Sequence, residues 1–337
     1  MSVNKNKTFI IAELSANHNN SFDIAVKTIE AMADAGADAV KVQTYKPESL
    51  TLNVDNEIFG PKKEGIWKGQ RPFDILSQGS MPYEWQPKLK KIAESLGLIF
   101  FSSPFDFEAV DFLESFNNPI YKIASLEIND IPLIKYIASK GKPMIMSTGV
   151  ASENDIQLAL ETCYGVGNNQ ISLLKCTSEY PATVSQANLL TIPKIKKRFG
   201  VNVGVSDHTM GCIVPIVAVS VGATIVEKHF ILSRKLGGPD STFSMEPDEF
   251  REMVQYIRLS EIALGKATLD VSEKDKYRRR SLFAVENIKA GEMLTEKNIK
   301  SLRPGNGIAP KYYYEILGKI VQKDIIKGEP LNWDFFV

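Results

Sequence analysis

The stretch VNVGVSDHTMGCIVPIVAVSVGATIVEKHF, residues 201–230, decides the fold. Two short apolar runs, Val201–Val205 and Thr224–Glu227, flank a helical pattern over Pro215–Val221. Gly222 follows the helical pattern, where the end of a helix favours a residue that tolerates positive φ. Short apolar runs with few polar interruptions are typical of strands buried on both faces of a parallel sheet. The stretch therefore predicts a strand–helix–strand unit.

The same unit recurs along the preceding 200 residues. The other apolar runs are Thr8–Leu14, Ala39–Gln43, Leu98–Ser102, Ile120–Ile123, Pro143–Ser147 and Ile171–Lys175. Helical patterns lie between them, at Ile24–Ala35, Trp85–Leu96, Phe107–Phe116, Ile131–Ser139, Glu153–Cys163 and Leu189–Phe199. Eight strands, each followed by a helix, predict an α/β fold, a closed (β/α)₈ TIM barrel. A doubly wound open sheet is the alternative, and the lack of a Gly-rich fingerprint disfavours it.

The composition changes after a final predicted helix at Asp248–Leu264. We expect a barrel over residues 1–271, a charged linker over 272–280 (SEKDKYRRR) and a small domain over 281–337. The small domain contains a weak internal echo, IKAGEML at 288–294 and IKGEPL at 326–331, and each copy is predicted to form a turn. About 57 residues is near the lower limit for independent folding, so we expect docking against the barrel or a partner chain.

One predicted connection, residues 44–82, is far longer than the others. It contains Pro, Gly, Trp and several charged residues without clear periodicity. Connections longer than about 15 residues are usually functional or disordered. In a barrel this connection leaves the C-terminal face, where active sites lie. We therefore predict a substrate lid.

Charge and cysteine content exclude several classes of protein. The 337 residues contain 40 Lys and Arg against 40 Asp and Glu, so the formal net charge is zero. Bulk binding to nucleic acid or to a membrane surface relies on a basic excess that is lacking. The chain has no apolar run of the roughly 18 residues that a transmembrane helix needs, and MSVNKNK leads into the first strand without a signal-peptide core. Three cysteines without metal-like spacing predict a reduced, cytoplasmic protein.

Polar residues follow every predicted strand, at the end where barrel enzymes place their chemistry. Lys41 and Lys122 interrupt otherwise apolar strands, which is costly unless an anion or a carboxylate pairs with them. With the hydroxyls of Ser147 and Ser206 they favour a pocket for a small anion such as phosphate. The alternative is that each lysine forms a buried ion pair with Glu13 or Glu227.

Two of the three histidines, His208 and His229, end consecutive strands. Two imidazoles with a nearby carboxylate suit a divalent ion such as Mn²⁺, Fe²⁺ or Zn²⁺. His18 either orients its loop or contacts substrate. Glu13 and Glu127 are candidates for binding sugar hydroxyls or moving protons, although Glu127 can equally be a carboxylate at a helix start.

Other patterns are typical of packing. Phe100, Phe101, Phe105, Phe107 and Phe112 are expected between barrel and helices, and Tyr312–Tyr314 in packing or at an interface. No histidine partner for Cys176 is evident from the sequence, which argues against a nucleophile.

The strand-end motifs, taken in order, resemble those of the sialic acid synthase family, enzymes that condense phosphoenolpyruvate with an amino sugar. The matching segments are IAELSANH (11–18), KVQTY (41–45), FSSPFD (101–106), YKIASLE (121–127), STG (147–149), KCTSEYP (175–181), SDHTMG (206–211), EKHF (227–230), GGPDSTFSMEP (237–247) and RPGNG (303–307). The resemblance covers nearly the whole chain. It implies that the small domain is the family's antifreeze-like (β-clip) domain.

Three segments, ELSANH, LKCTSEYP and GGPDSTFS, resemble the branch that forms pseudaminic acid from 2,4-diacetamido-2,4,6-trideoxy-altrose. Neuraminate-type members usually have His-Cys-Thr where this chain has Lys175-Cys176-Thr177, and Asn where it has Ser178. The alternatives are N-acetylneuraminate or legionaminate synthesis. More remote alternatives are a metal-dependent aldolase and a non-catalytic sugar-binding barrel.

The resemblance also implies residue roles. Catalytic roles fall to Glu13, Glu127, Lys41 and Lys122, and substrate-binding roles to Gln43, Ser103, Ser125, Ser147, Thr148, Ser178, Tyr180, Ser206, Asp240 and Arg303. His208 and His229 hold the metal, expected to be Mn²⁺ with Mg²⁺ or Co²⁺ as alternatives. Arg303 reaches an N-acetyl carbonyl in the partner subunit of a domain-swapped homodimer. The implied reaction is metal-assisted aldol-type attack, water addition helped by Glu127 or Glu13, and release of phosphate by C–O cleavage.

Overall fold

Eight parallel strands form a closed barrel in which each strand pairs with the next and β8 pairs with β1. The structure is a computed structural model that describes residues 7–336. The barrel strands are β1 Phe9–Glu13, β2 Ala39–Thr44, β3 Ile99–Pro104, β4 Tyr121–Ile123, β5 Met144–Ser147, β6 Ile171–Cys176, β7 Asn202–Asp207 and β8 Ile225–His229. Each lies within or beside its predicted apolar run, so the predicted (β/α)₈ barrel is confirmed. The predicted absence of a signal peptide concerns residues 1–6, outside the described residues.

Helices follow the strands. They are α1 Phe22–Asp34, α2 Pro72–Gly79, α3 Gln86–Ser95, α4 Phe107–Ser115, α5 Ile131–Ala138, α6 Glu153–Gly165, α7 Thr191–Phe199, α8 Ile213–Ser220 and α9 Pro247–Leu264. Each of them except α2 overlaps a predicted helical pattern. The long connection 44–82 is not wholly irregular, because α2 lies within it. Among the described residues, no helix combines the length and the hydropathy needed to cross a membrane.

Local capping explains where several helices begin. The Ser21 side chain accepts a hydrogen bond from the Ile24 amide at the start of α1, and Asp106 accepts one from the Ala109 amide at the start of α4. Such caps satisfy amides that have no partner inside the helix. At the other end of α7, Gly200 adopts the left-handed conformation, with φ of 69°. These caps therefore help to fix where α1 and α4 begin and where α7 ends.

The interior of the barrel is closed by an apolar layer. Its buried residues are Ile11, Ala39, Phe101, Ile120, Ile145, Leu174 and Ile225. Gly204 of β7 leaves room for this layer, since a Cβ there would lie 2.3 Å from the Ile225 carbonyl oxygen and 2.8 Å from Leu174 Cδ2. Alternate strand residues point outward and pack against the helices.

The alternation of side chains along each strand also determines which residues point inward on the C-terminal side of the apolar layer. Side chains two positions apart on a strand share a face. Two residues beyond the apolar layer, the inward positions are Glu13, Lys41, Ser103, Lys122, Ser147, Cys176, Ser206 and Glu227. The barrel therefore carries a ring of polar side chains at the C-terminal ends of its strands.

The chain divides into two compact units, one ending at Gly265 and the other beginning at Lys266. The second unit contains the short helix α10 Glu273–Tyr277, the antiparallel pair β9 Ser281–Ala284 and β10 Ile299–Leu302, and α11 Tyr313–Ile316. It has its own buried cluster, built from Leu282, Ala284, Ile288, Leu294, Ile299, Ile308, Ile316, Val321, Ile325, Leu331, Phe335 and Phe336. The predicted linker 272–280 thus includes a helix, and the predicted residue limits of linker and domain stay a prediction.

Both copies of the internal echo form turns in the second unit. Gly291 and Gly328 each have φ of 91°, a conformation that glycine adopts without strain. The Glu292 carboxylate accepts a hydrogen bond from the Lys289 amide, and Glu329 accepts one from the Ile326 amide. The repeated Gly-Glu pair therefore marks the same local structure twice.

Candidate active site

Two lysines and two glutamates form a buried charge cluster above the apolar layer. Lys41 forms an ion pair with Glu13, and its Nζ lies 3.7 Å from Glu227 Oε1. Lys122 Nζ lies 3.4 Å from the same Glu227 oxygen. Two carboxylates face two amino groups, so the opposite charges of the cluster offset one another and reduce the cost of burying them. These contacts are the ion pairs of the alternative interpretation, and the anion-binding role of the two lysines stays a prediction.

Hydroxyl groups complete the cluster. Lys122 Nζ donates to Ser147 Oγ at 2.8 Å, and Ser206 Oγ donates to Glu227 Oε1 at 2.9 Å. In the part of the chain that the structure describes, the buried atoms Ser103 Oγ and Glu227 Oε2 have no hydrogen-bond partner. Buried polar atoms without partners are rare in folded proteins and often mark a place for water or a ligand.

Burial and charge act in opposite directions on the ionised groups of the cluster. Burial lowers the pKa of Lys41 to about 7, although the Glu227 carboxylate opposes the shift. Burial also disfavours the charged form of Glu227, but Lys122 and Lys41 outweigh this and hold its pKa below the usual value. Glu227 therefore stays ionised and is the shared counter-ion of both lysines. The sequence offered it only as an ion-pair partner, although it lies in the EKHF segment beside His229.

A second set of contacts links β1, β2 and the segment that follows β8. Gln43 Nε2 donates to Glu13 Oε1 at 3.2 Å and to Ser15 Oγ at 3.1 Å. Ser15 Oγ in turn donates to Asp240 Oδ2 at 2.5 Å. Burial raises the pKa of Asp240. Ser15 was not among the predicted site residues, and its place inside ELSANH was the signal that could have indicated it.

Ser125, Thr148 and Ser178 surround the STG turn. Ser125 Oγ accepts from the Gly149 amide at 3.1 Å, and Thr148 Oγ1 donates to the Leu174 carbonyl at 3.0 Å. A Cβ on Gly149 would lie 2.1 Å from Ser178 Oγ and 2.9 Å from Ser125 Oγ, so a larger residue there would have to displace both hydroxyls. The Thr148 hydroxyl already has a backbone partner, and its substrate-binding role stays a prediction.

The predicted metal ligands are neighbours. The ring centroids of His208 and His229 lie 5.2 Å apart. His208 Nδ1 lies 3.0 Å from the Thr177 carbonyl oxygen, an acceptor that assigns the proton to Nδ1 and leaves Nε2 as the ligand atom. His229 Nδ1 is buried without a hydrogen-bond partner among the described residues, and lies 3.9 Å from Asp240 Oδ2.

The two imidazoles are close enough to share a divalent ion, but their protonation differs. Burial lowers the pKa of His208, yet its contacts with Cys176 and the Thr177 carbonyl outweigh this and raise it, so a bound ion would displace a proton there. Burial, together with the nearby His208, lowers the pKa of His229 well below its usual value, which favours the neutral imidazole that metals bind. Among the described residues no group of three or more His, Cys, Asp or Glu side chains is placed to hold an ion alone. An ion held by the two imidazoles would therefore keep positions open for substrate or water, as catalytic metal sites do.

Cys176 has a histidine neighbour that the sequence did not reveal. Its Sγ lies 3.9 Å from His208 Nδ1. The expectation that Cys176 lacks a histidine partner is therefore wrong. The reason is the strand pairing, because Cys176 of β6 pairs with Ser206 of β7, two residues before His208.

Glu127 lies on the turn Ser125–Glu127 that follows β4. Burial raises its pKa to about 7, although Lys122 opposes the shift. Its Oε2 is buried without a hydrogen-bond partner among the described residues. A carboxylate that titrates near neutral pH and has a free oxygen is suited to general acid–base work.

The remaining predicted residues divide between the two units. Tyr180 lies in the barrel mouth, with its ring centroid 4.4 Å from that of His208. His18 uses both ring nitrogens locally, Nε2 at 3.2 Å from the Gly79 carbonyl and Nδ1 as acceptor for the Asn20 amide, so it orients its loop. Arg303 belongs to the second unit, and its role in the site stays a prediction.

Both units of the chain are similar in sequence to known proteins. Residues 28–268 match the NeuB family and residues 279–337 match the SAF domain. The chain is 45% identical to a pseudaminic acid synthase of Campylobacter jejuni over 97% of this chain and 96% of that protein. It is 44% identical to a pseudaminic acid synthase of Helicobacter pylori, with 96% of each chain covered. Among solved structures, the N-acetylneuraminic acid synthetase of Leptospira borgpetersenii superimposes with a TM-score of 0.72 at 32% identity, covering 81% of this chain and 92% of that one.

Proposed function

The chain belongs to the NeuB family, and from that premise we propose that it condenses phosphoenolpyruvate with 2,4-diacetamido-2,4,6-trideoxy-altrose to give pseudaminic acid and phosphate. The observation that carries this proposal is the 45% identity to a pseudaminic acid synthase over nearly the full length of both chains. The reaction forms a carbon–carbon bond, so the protein is a transferase. The family predicted from the strand-end motifs is confirmed.

The charge cluster suits phosphoenolpyruvate, which carries a phosphate and a carboxylate. Lys41 and Lys122 supply positive charge, and the Ser103 hydroxyl lacks a partner in the described part of the chain. In our proposal the phosphate and carboxylate of the substrate share the lysines with Glu13 and Glu227. Lysines held in place before binding stabilise the charge of the departing phosphate without reorganisation.

Attack of phosphoenolpyruvate C3 on the sugar aldehyde leaves positive charge at C2, to which water adds. The water must lose a proton, and a carboxylate near it is the natural acceptor. Glu13 already pairs with Lys41 and accepts from Gln43, whereas Glu127 has a buried oxygen without a partner among the described residues. We therefore assign the base to Glu127. Collapse of the tetrahedral centre then breaks the C2–O bond and releases phosphate.

His208 and His229 would hold the divalent ion, for which Mn²⁺ is our proposal. When bound, the ion supplies Lewis-acid polarisation of the sugar aldehyde. The residues around it fix the imidazoles: the Thr177 carbonyl orients His208, and Phe243 lies with its ring centroid 5.0 Å from that of His229.

A substrate panel tests the activity. Purified protein, phosphoenolpyruvate and Mn²⁺ are incubated separately with the diacetamido altrose, the sugar precursor of legionaminic acid and N-acetylmannosamine. Phosphate release and the mass of the nine-carbon product are measured. We expect turnover with the diacetamido altrose at the highest kcat/KM. Turnover only with N-acetylmannosamine would overturn the proposal, and no phosphate release with any sugar would favour a binding protein.

A domain-swapped homodimer is proposed for the role of Arg303. A mixture of Arg303→Ala and His229→Ala subunits tests it, because each mixed dimer would contain one intact site if Arg303 acts on the partner subunit. We expect activity to return on mixing, up to about a quarter of the wild-type level. A monomer in sedimentation analysis, or no recovery on mixing, would contradict the proposal. The cytoplasmic location stays a prediction from cysteine content.

A further inference from the structure

The long connection after β2 reaches back to the barrel mouth. Residues 46–71 of it, here the lid segment, are fixed at one end because Lys46 Nζ pairs with Glu108 at 2.5 Å and Ser49 donates to Asp106. Near the other end, the Lys62 amide donates to the Gln70 carbonyl at 2.9 Å and the Gly69 amide donates to the Lys62 carbonyl at 2.8 Å. These bonds form a turn that presents Trp67.

Trp67 contacts two parts of the mouth. Its Nε1 donates to the Pro239 carbonyl oxygen at 3.1 Å, and its ring centroid lies 5.9 Å from that of Tyr180. Tyr180 in turn lies against His208, at 4.4 Å between centroids. Trp67 is therefore separated from a proposed metal ligand by a single aromatic ring.

Pro239, which accepts the Trp67 hydrogen bond, lies in a well-defined segment. It precedes Asp240, which accepts a hydrogen bond from Ser15, and it follows Gly238, whose φ is 110°. A Cβ at Gly238 would lie 2.6 Å from Asn19 Oδ1, so the segment passes close to the first βα loop. The position of Trp67 over the mouth is thus set by the same segment that brings Asp240 to the site.

The chemistry of this contact selects for apolar groups. The indole has one hydrogen-bond donor, and the Pro239 carbonyl occupies it. The Lys62 ammonium lies 4.8 Å from the centroid of the indole ring. What the rest of the ring offers to a substrate is an aromatic surface that accepts carbon and donates no hydrogen bond to a hydroxyl. The aldehyde carbon reacts near His208 and His229, so the sugar carbons remote from the aldehyde are the ones within reach of Trp67.

We propose that Trp67, whose ring lies tilted against that of Tyr180, is a specificity-determining residue that receives the 6-deoxy carbon and the acetamido methyl at C4 of the sugar. This inference rests on the proposed function. N-acetylmannosamine carries hydroxyls at both positions, and Trp67 would leave them unpaired. The same aromatic surface therefore favours the 6-deoxy sugar and disfavours N-acetylmannosamine.

Steady-state kinetics of Trp67→Ala with three substrates tests the proposal. We expect the KM for the diacetamido altrose to rise about tenfold or more, because a methyl or methylene contact in an apolar pocket is worth roughly 10- to 200-fold. The KM for phosphoenolpyruvate should change less than about twofold. The preference for the diacetamido altrose over N-acetylmannosamine, as a ratio of kcat/KM, should fall by a similar factor of about ten.

Two further variants separate the effect of the aromatic ring from that of the hydrogen bond between Trp67 and the Pro239 carbonyl. Trp67→Phe keeps an aromatic ring but loses the bond to Pro239, so it should restore most of the sugar preference. Ile58→Ala changes a lid side chain that is 80% exposed, and should leave all three constants unchanged. Equal rises in both KM values, or an unchanged sugar preference in Trp67→Ala, would overturn the proposal. Failure of the proposed function is seen separately, as lack of turnover of the diacetamido altrose by the wild type.

Discussion

Lys228 donates through Nζ to Asp207 Oδ2 at 2.5 Å, and the two residues are paired across β7 and β8. Both side chains are almost fully buried, and they point away from the barrel interior because strand side chains alternate. Their neighbours Ser206, His208, Glu227 and His229 point inward. The middle residues of SDH and EKH thus bind each other and fix the two strand ends that carry the histidines.

Lys228→Met is expected to destabilise the fold by about 3–5 kcal/mol, because it leaves the Asp207 charge buried without its partner. Urea denaturation followed by circular dichroism measures the loss. The double variant Asp207→Asn with Lys228→Met removes both charges and should recover much of the stability. A single variant as stable as the wild type would show that the pair does not hold the strand ends.

His229→Ala is expected to abolish metal-dependent turnover while the fold stays intact. The imidazole is one of two proposed ligands, so its loss should weaken binding of Mn²⁺ in calorimetry by at least about tenfold. His18→Gln is the matched control, because both ring nitrogens of His18 already have backbone partners, the Asn20 amide in its own loop and the Gly79 carbonyl at the end of α2. Retained activity in metal-depleted His229→Ala would remove the metal assignment.

Lys122→Met is expected to raise the KM for phosphoenolpyruvate about tenfold to a hundredfold, since a hydrogen bond from a charged group contributes roughly 1.5–3 kcal/mol. The KM for the sugar should change far less. Initial rates at varied concentrations of each substrate separate the two effects. An unchanged phosphoenolpyruvate dependence with lower stability would instead assign Lys122 to the ion pair with Glu227 alone.

The activity of the wild type is expected to fall as the pH drops through about 7, because Glu127 then gains a proton and no longer accepts one from water. Glu127→Gln should lose about 10²- to 10⁴-fold in kcat, and its residual rate should lack this acidic limb. The pH–rate profiles of both proteins give the comparison. If the acidic limb persists in Glu127→Gln, Glu13 becomes the better candidate.

The Glu127 carboxyl is also expected to make the free energy of unfolding depend on pH. Burial raises the pKa of Glu127 from 4.5 in the unfolded chain to about 7 in the folded protein. Between these values the folded protein holds a proton that the unfolded chain has lost, so stability decreases as pH rises from 4.5 to 7. Glu127→Gln should lack this component, and urea titrations at several pH values measure the difference.

The barrel and most of its site could be predicted because both follow from local periodicity. Each apolar run fixes a strand, and alternation then places Glu13, Lys41 and Lys122 inward at one end. The parts that could not be predicted depend on pairings between distant segments. Trp67 meets Pro239, and Cys176 meets His208, only because the closed barrel brings their loops together. The helix α2 was missed because only Gly79 of its eight residues is buried, so packing imposes little apolar periodicity on its sequence.

Closure of the barrel has a consequence for synthesis of the protein. Lys41 pairs with Glu13 from the first strand and lies near Glu227 from the last, so the charge cluster spans the barrel from its start to its end. A nascent chain released as far as β7 lacks Glu227 and His229, and has nothing to close β1 against. The pairing of β8 with β1 is therefore the step that completes the site. Because that step joins segments more than 200 residues apart, we expect it to be slow.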